Sequence, residues 1–153
     1  IHASEGIVSR DLLEDLNRLE FYQLLPPKSL GLEWVQKFIF PLIDSYKLQV
    51  QSGLRTFVEH IAIQIANILS HENKTVLITG GGAYNDFLIE RLSKLSKCSI
   101  IIPDSNLIEF KEALIFGFLG VLKERNQVNC LASVTGAKSD HSSGKILVPR
   151  SQN

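Results

Sequence analysis

The sequence predicts an α/β fold built around a parallel strand–helix–strand crossover. Two short runs rich in β-branched residues, 75–79 and 98–102, end at glycine and at proline respectively, which is typical of buried strands. Between them, apolar residues from Phe87 to Leu95 recur at helical spacing. A strand, a helix and a second strand in this order are typical of parallel neighbours joined by a right-handed crossover.

Three helices are predicted ahead of the first strand. Leucines at helical spacing place the first between Ser9, as its N-cap, and about Leu19. After a loop that contains two prolines, a second helix is expected to end near Pro41, because proline lacks a backbone donor. The third covers 54–69, and its wide apolar stripe predicts that it lies flat on the sheet.

Two polar residues fall inside the third helix. Glu59 and His60 are adjacent, and one histidine beside one glutamate lacks the ligand spacing of a metal site. We expect both to lie at the surface or at the rim of the core.

The chain after the second strand is predicted to form one long helix and a tail. Apolar residues crowd the helix, 109–124, so it is expected to be largely buried, with Gly117 and Gly120 allowing close approach. From residue 138 to 153 the chain is polar and is expected to be a flexible tail.

Composition excludes several classes of function. The 153 residues carry 16 Lys+Arg and 16 Asp+Glu, so there is no net field to attract nucleic acid or anionic lipid. No apolar run reaches the length of a membrane helix, so we expect no membrane partner. Cys98 and Cys130 show neither zinc-site spacing nor the density of a secreted scaffold, and are expected to be reduced, buried thiols in a cytoplasmic protein.

The start of the chain suggests a missing segment. There is no methionine, and the sequence opens with Ile1, His2 and Ala3 without the pattern of a signal peptide. We therefore expect that something precedes Ile1.

The glycine triplet is the feature that points most clearly to a ligand. Gly80, Gly81 and Gly82 follow a strand and precede a helix, where exposed backbone and the helix dipole favour phosphate. A tight strand-to-helix turn without a ligand explains the triplet equally well. The pattern is neither a P-loop nor a dinucleotide motif, because Asn85 stands where the latter needs its third glycine.

Asn85 and Glu112 are the two polar candidates near these elements. Asn85 could bind a sugar hydroxyl or a base, or simply cap the helix. Glu112 could bind sugar hydroxyls if it faced a cleft, whereas its position near a helix start favours a solvated carboxylate. Asp140, His141 and Ser142 are adjacent, so they cannot surround one reacting atom as a hydrolytic triad does.

Several segments, in order, resemble the C-terminal half of the anhydro-N-acetylmuramic acid kinases. The longest resemblance is VLITGGGAYNDFL at 76–88, followed by Glu112-Ala113-Leu114, by 129–133 and by VTGA at 134–137. Earlier in the chain, 27–31 resembles the family's Pro-Lys-Ser-Thr-Gly segment, with Leu30 in place of threonine. The departure at Leu30 leaves any hydroxyl contact there open, together with the roles of Lys28, Ser29 and the 133–137 loop.

This resemblance implies a fold and an activity. The family belongs to the sugar kinase, heat-shock ATPase and actin superfamily, whose members close two ribonuclease-H-like domains over ATP. The implied reaction opens the 1,6-anhydro ring of an anhydro amino sugar and phosphorylates its 6-hydroxyl during bacterial peptidoglycan recycling. It implies ATP and magnesium as cofactors, the glycines and Asn85 on the nucleotide side, and Glu112 facing the sugar.

The resemblance also implies that the chain holds one wall of the active site. In the family the catalytic aspartate and the first phosphate-binding turn lie in the N-terminal half, and no segment here resembles either. We therefore expect no catalytic residue and no metal ligand in residues 1–153, which would be a C-terminal domain that is inactive without its N-terminal partner domain. The alternative is a non-catalytic interaction module, or a homodimerisation module, derived from that fold.

Overall fold

A computed structural model describes residues 2–25, 28–69 and 74–147 of the chain. These fall into two compact units, 1–103 and 104–153, which are described separately. Among the described residues, the first unit contains seven α-helices and a two-stranded sheet, and the second contains two α-helices.

Three short helices begin the first unit. They are α1 (His2–Glu5), α2 (Arg10–Arg18) and α3 (Glu20–Gln23). The predicted N-cap is confirmed, because the Ser9 hydroxyl accepts a hydrogen bond from the Leu12 backbone N–H at 3.5 Å. Leu12 and Leu16, one helical turn apart on α2, are fully buried and form the core with Ile39.

The second predicted helix continues past Pro41, so its predicted end was wrong. It comprises α4 (Leu32–Trp34), a π-helical turn (Val35–Ile39) and α5 (Phe40–Ser45). In the π turn the Phe40 N–H donates to the Val35 carbonyl, five residues back. Proline then occupies the first turn of the next α-helical segment, where its missing donor costs little. The continuation lets Leu42 and Ile43 pack on the core.

The longest helix of the first unit is α6 (Val50–Ile68), which begins four residues before its predicted start. It packs against α1, α2 and α7, so most of its length contacts helices rather than lying flat on the sheet as predicted. Near its C-terminal end, Ile65 and Leu69 line a cavity of about 370 Å³ together with Val76 and Ile78.

The predicted parallel crossover is confirmed. Strand β1 (Thr75–Leu77) leads through the glycine turn and α7 (Asp86–Leu95) to β2 (Ser99–Ile101). The strands pair in parallel, with Val76 opposite Ile100. Both strands are shorter than the predicted runs, although an Ile78 N–H to Ile101 carbonyl bond of 3.0 Å continues the pairing beyond β1.

In the second unit, the helix predicted to be largely buried is mostly exposed. Helix α8 (Ser105–Glu124) is capped by Asp104, and Ile108 is its one buried residue. Phe110, Leu114 and Phe118 are each at least 60% exposed. A helix with apolar residues on all sides is expected to be buried against other elements. The second unit contains too few residues to bury this surface.

The helix glycines make no close approach within the described residues. A Cβ atom built on Gly117 or Gly120 would meet no described atom within 4 Å, so the predicted close packing at these positions is not found there.

After α8, hydrogen bonds join residues 129–132 to residues 140–143, an arrangement that we call the clip. Cys130 and His141 form an antiparallel bridge, and Asp140 accepts a bond from the Ala132 N–H at the start of α9 (Ala132–Thr135). Asn129 holds Ser143 through its side-chain amide, with bonds of 2.6 and 3.1 Å. Residues 140–143, within the expected flexible tail, make these hydrogen bonds. The flexibility of 138–153 stays a prediction, and 148–153 lie outside the described residues.

Across residues 2–25, 28–69 and 74–147, every helix is too short or too polar to pass through a lipid bilayer.

Candidate functional site

The glycine turn connects the end of β1 to the start of α7. Gly80 adopts φ 82° and ψ 176°, a conformation that side chains with a Cβ strongly disfavour. Gly81–Tyr84 then form one turn of 3₁₀-helix, held by an Ala83 N–H to Gly80 carbonyl bond of 2.9 Å. The sequence prediction of a strand, a glycine turn and a helix is confirmed.

The other two glycines are not required by the chain's own packing. Gly81 and Gly82 have ordinary φ angles, both are exposed, and a Cβ atom on either would meet no described atom within 4 Å. A backbone that lacks side chains in an open position can be approached closely by a ligand. The turn thus presents bare backbone at the carboxyl end of a parallel strand, where α/β sheets bind ligands.

Asn85 acts as the N-cap of α7. Its Oδ1 atom accepts a hydrogen bond from the Leu88 N–H at 3.1 Å, and its side chain is exposed. The capping role that sequence reasoning left open is therefore present. This cap fixes where α7 begins, and with it the positive end of the helix dipole beside the glycines.

Two arginines and a buried glutamate join α6 to α7. Glu59, expected at the surface or at the rim of the core, is only 8% exposed. Its carboxylate accepts two bonds from Arg91 of α7, from Nε at 2.7 Å and from Nη2 at 2.8 Å. The guanidinium of Arg55 lies 4.6 Å from the ring centroid of Phe87, in the first turn of α7. Hydrogen bonding to Glu59 raises the pKa of Arg91, which is charged at any physiological pH.

His60 was also expected near the surface and is 1% exposed. Its Nδ1 atom lies 2.7 Å from Oδ1 of Asn17, and its Nε2 atom lies 3.0 Å from the Tyr22 hydroxyl. Because Asn17 Oδ1 can only accept, Nδ1 carries the proton and the Tyr22 hydroxyl donates to Nε2. Burial lowers the pKa of His60 to about 4, so the ring is neutral near pH 7.

Sequence reasoning missed both roles because it treated these residues by type. One signal was available: Glu59 and His60 lie between Val58 and Ile61 within an apolar helix, where a buried polar group needs a partner. The identity of the partners, 32 and 43 residues away in the sequence, could not be found from local pattern.

Glu112, the predicted sugar-facing residue, lies on α8 in the second unit. Its side chain is exposed. The role assigned to it by resemblance stays a prediction. In the same unit, the segment predicted as a loop around 133–137 includes most of α9. Gly136, whose φ is 74°, is the C-cap of this helix.

Among the remaining predicted residues, Lys28 has a structural role in the described chain. Lys28 donates to the backbone carbonyls of Phe21 and Tyr22, at 3.0 and 3.4 Å, and Ser29 is exposed. Pro27 lies outside the described residues. Cys98 and Cys130, expected to be buried, are half-buried, and the described residues contain no disulfide.

Within the part of the chain that the structure describes, no three His, Cys, Asp or Glu side chains converge as metal ligands would.

Comparison with known proteins gives a consistent family. Residues 1–149 match the profile of the family described as anhydro-N-acetylmuramic acid kinase. The protein of that name from Mannheimia succiniciproducens is 35% identical over 160 residues, which cover 95% of this chain and 43% of that protein. Those from Legionella pneumophila strain Lens and Sulfurovum sp. are 33% and 32% identical, over 91% and 95% of this chain and 40% and 42% of theirs. The chain thus spans about two fifths of the length of these relatives.

Proposed function

The chain belongs to the anhydro-N-acetylmuramic acid kinase family, and on that basis we propose that it is the nucleotide-side, C-terminal portion of an ATP-dependent sugar kinase. The proposed reaction cleaves the 1,6-anhydro ring of anhydro-N-acetylmuramic acid and phosphorylates the 6-hydroxyl, in the recycling of bacterial peptidoglycan. The proposed fold is the ribonuclease-H-like domain of the actin-like ATPases, of which the observed parallel crossover would be one part. We propose a cytoplasmic location, which thiols without disulfides favour.

The observation that carries this proposal is the bare backbone of the glycine turn. Gly80 is explained by its positive φ, whereas neither backbone conformation nor packing in the described chain requires Gly81 or Gly82. Close approach by the phosphates of ATP supplies a reason, since they would meet backbone N–H groups and the N-terminal end of α7. Asn85 would hold that end in place through its cap.

The base and the metal ligands are assigned outside this chain. Phosphoryl transfer with ring opening needs a base to activate water, and charge neutralisation at the phosphates. Magnesium would supply that neutralisation, held by the phosphates and by one or two carboxylates. We propose no residue of this chain as the base or as a metal ligand, and assign both to an N-terminal kinase domain. Glu112 is proposed to bind sugar hydroxyls.

A single methyl group at Gly81 tests the nucleotide site. In a full-length kinase that carries this chain, Gly81→Ala is expected to raise the KM for ATP about tenfold, because the methyl group occupies space meant for phosphate. The free energy of unfolding should stay within about 1 kcal/mol of the wild type, since the position is open and φ is ordinary.

Two further glycine variants serve as controls. Gly120→Ala, on α8, is equally open and should leave the KM for ATP unchanged. Gly80→Ala should lose about 1–3 kcal/mol of stability because of its positive φ. A Gly81→Ala enzyme with an unchanged KM for ATP would contradict the proposed site.

The proposed incompleteness has its own test. The isolated 153-residue chain, given ATP, magnesium and the anhydro sugar, should show no turnover, because the base lies elsewhere. Phosphorylation at the rate of a full-length relative would overturn this part of the proposal.

The second candidate function is an interaction or homodimerisation module. It is favoured by one observation, the exposed apolar side of α8 that contains Phe110, Leu114 and Phe118. Self-association of the isolated chain would support it, and a monomer at high concentration would count against it.

A further inference from the structure

We propose that the buried ion pair between Glu59 and Arg91, together with the stacking of Arg55 on Phe87, positions the N-terminal end of α7 for nucleotide binding. This inference rests on the proposed function and adds positioning residues to it. None of the four is proposed to touch the nucleotide or the sugar.

The ion pair is a two-point contact and is largely shielded from water. Arg91 presents Nε and Nη2 to the two carboxylate oxygens of Glu59, at 2.7 and 2.8 Å. The Arg91 side chain is 20% exposed and that of Glu59 is 10% exposed, so water competes weakly for the contact. A two-point contact between planar groups restricts rotation as well as distance. The pair therefore fixes the direction of α7 relative to α6, and not only their separation.

A second contact holds the first turn of α7. The Arg55 guanidinium stacks over the Phe87 ring at 4.6 Å, and Phe87 is two residues from the Asn85 cap. Arg55 also lies 4.0 Å from the Glu59 carboxylate, which links the two contacts. Its Nε atom is buried without a hydrogen-bond partner among the described residues, so stacking, rather than a hydrogen bond from that atom, orients the group. Cation–aromatic stacking of this kind is directional.

The distance between the ion pair and the N-terminal end of α7 explains why the direction of the helix matters for the position of the glycine turn. Asn85 is six residues from Arg91, which is about 9 Å along a helix axis. A tilt of about 10° at the ion pair would move the cap and the adjacent glycine turn by roughly 1.5 Å. Hydrogen bonds between N–H groups and oxygen span only about 2.7–3.2 Å, so a shift of this size would separate the backbone N–H groups from the phosphates and weaken nucleotide binding.

An apolar replacement separates positioning from stability. Replacing a buried ion pair by apolar residues of similar volume often preserves or raises stability, because two desolvated charges are removed together. A contact between two apolar side chains does not fix the rotation of one helix relative to the other. The double variant Glu59→Met with Arg91→Met should therefore keep α6 and α7 packed while losing the fixed direction.

The test uses a full-length kinase carrying this chain, with steady-state kinetics in ATP and in the anhydro sugar. Arg55 loses its carboxylate neighbour in the double methionine variant but keeps its stacking on Phe87, so we expect this variant to stay folded, with a denaturant midpoint close to that of the wild type. Its KM for ATP should nevertheless rise about tenfold. The KM for the sugar should change less than about twofold. Arg91→Lys, which keeps the charge and loses the two-point contact, should raise the KM for ATP in the same direction.

Glu90→Met with Lys94→Met is the matched control. These two side chains form an exposed pair on α7, so this variant also removes one anion and one cation, without touching the contact to α6. It should leave the KM for ATP unchanged. A rise equal to that of the Glu59→Met with Arg91→Met variant would mean that loss of the charges, not of direction, is responsible, and would overturn the inference.

The remaining outcomes distinguish the inference from the function beneath it. If the wild-type enzyme phosphorylates the sugar with ATP, and both the Glu59→Met with Arg91→Met variant and Arg91→Lys keep the wild-type KM for ATP, the inference is wrong and the proposed function stands. If the wild-type enzyme shows no ATP-dependent phosphorylation, the proposed function fails and takes the inference with it.

Discussion

At the scale of single residues, polar side chains inside α6 join it to three neighbouring helices of the first unit. Glu59 faces α7 and His60 faces α2 and α3, so two adjacent residues bind neighbours on different sides of one helix. Each is satisfied by side chains rather than by water, which is what a buried polar group requires. Gln64 of α6 makes a further bond on the His60 side, where its Nε2 donates to Asn17 Oδ1 at 2.8 Å.

His60 should make the fold sensitive to acid. Burial lowers its pKa from 6.5 to about 4, so between these values the unfolded chain binds one more proton than the folded chain. The free energy of unfolding should therefore fall as pH falls from about 6.5 to about 4, by roughly 3 kcal/mol in total. Urea unfolding of the isolated chain across this range measures the slope.

Two histidine variants isolate this contribution. His60→Gln should flatten the dependence between pH 4 and 6.5, whereas His141→Gln, at an exposed position, should keep the wild-type slope. Equal slopes in wild type and His60→Gln would show that other groups carry the acid sensitivity.

At the scale of elements, local sequence pattern predicted correctly which helices and strands form, but it predicted poorly the residues at which they begin and end. The capped helix after Ser9, the strands around Val76 and Ile100 and the helix after Asn85 all form where their periodicity indicates. The end predicted at Pro41 was wrong because a π turn changes the hydrogen-bond register just before the proline. Packing of Leu42 and Ile43 on the core stabilises the helix beyond the π turn. A rule that considers only neighbouring residues in the sequence cannot predict such a change of register.

The clip in the second unit is the element whose strength is most easily tested. Asn129 binds the backbone of Leu119 in α8 and of Ser143 beyond the bridge. Asn129→Ala removes all three bonds, so the Ser143 amide should exchange with solvent about tenfold faster. Hydrogen exchange followed by NMR measures it, with Asn106→Ala, at an exposed position on the first turn of α8, as the control. Unchanged exchange at Ser143 would show that the bridge alone holds the segment.

At the scale of the whole molecule, both units expose large apolar side chains, but only the first has a described core cluster. It is formed around Leu12, Leu16 and Ile39, whereas α8 of the second unit has Ile108 as its one buried residue and leaves Leu114 exposed. A patch of this kind on an isolated chain favours association with another apolar surface.

The isolated chain is therefore expected to self-associate through α8. Its weight-average sedimentation coefficient should rise with protein concentration, and Leu114→Glu should weaken that rise by placing a charge in the patch. Ile7→Glu is the matched control, because Ile7 is 80% exposed and lies in the first unit. A sedimentation coefficient independent of concentration would contradict the prediction.

The sequence by itself determined the longer helices, both strands, the glycine turn and the family, because each depends on residues close together in the chain or on a set of motifs in order. Only the tertiary structure decided that Glu59 and His60 are buried and what they bind, and that α8 is exposed. Those outcomes depend on residues 32 and 43 positions away and on how much surface each unit can cover. Hydrophobic periodicity records that a face needs a partner, but not which partner it finds.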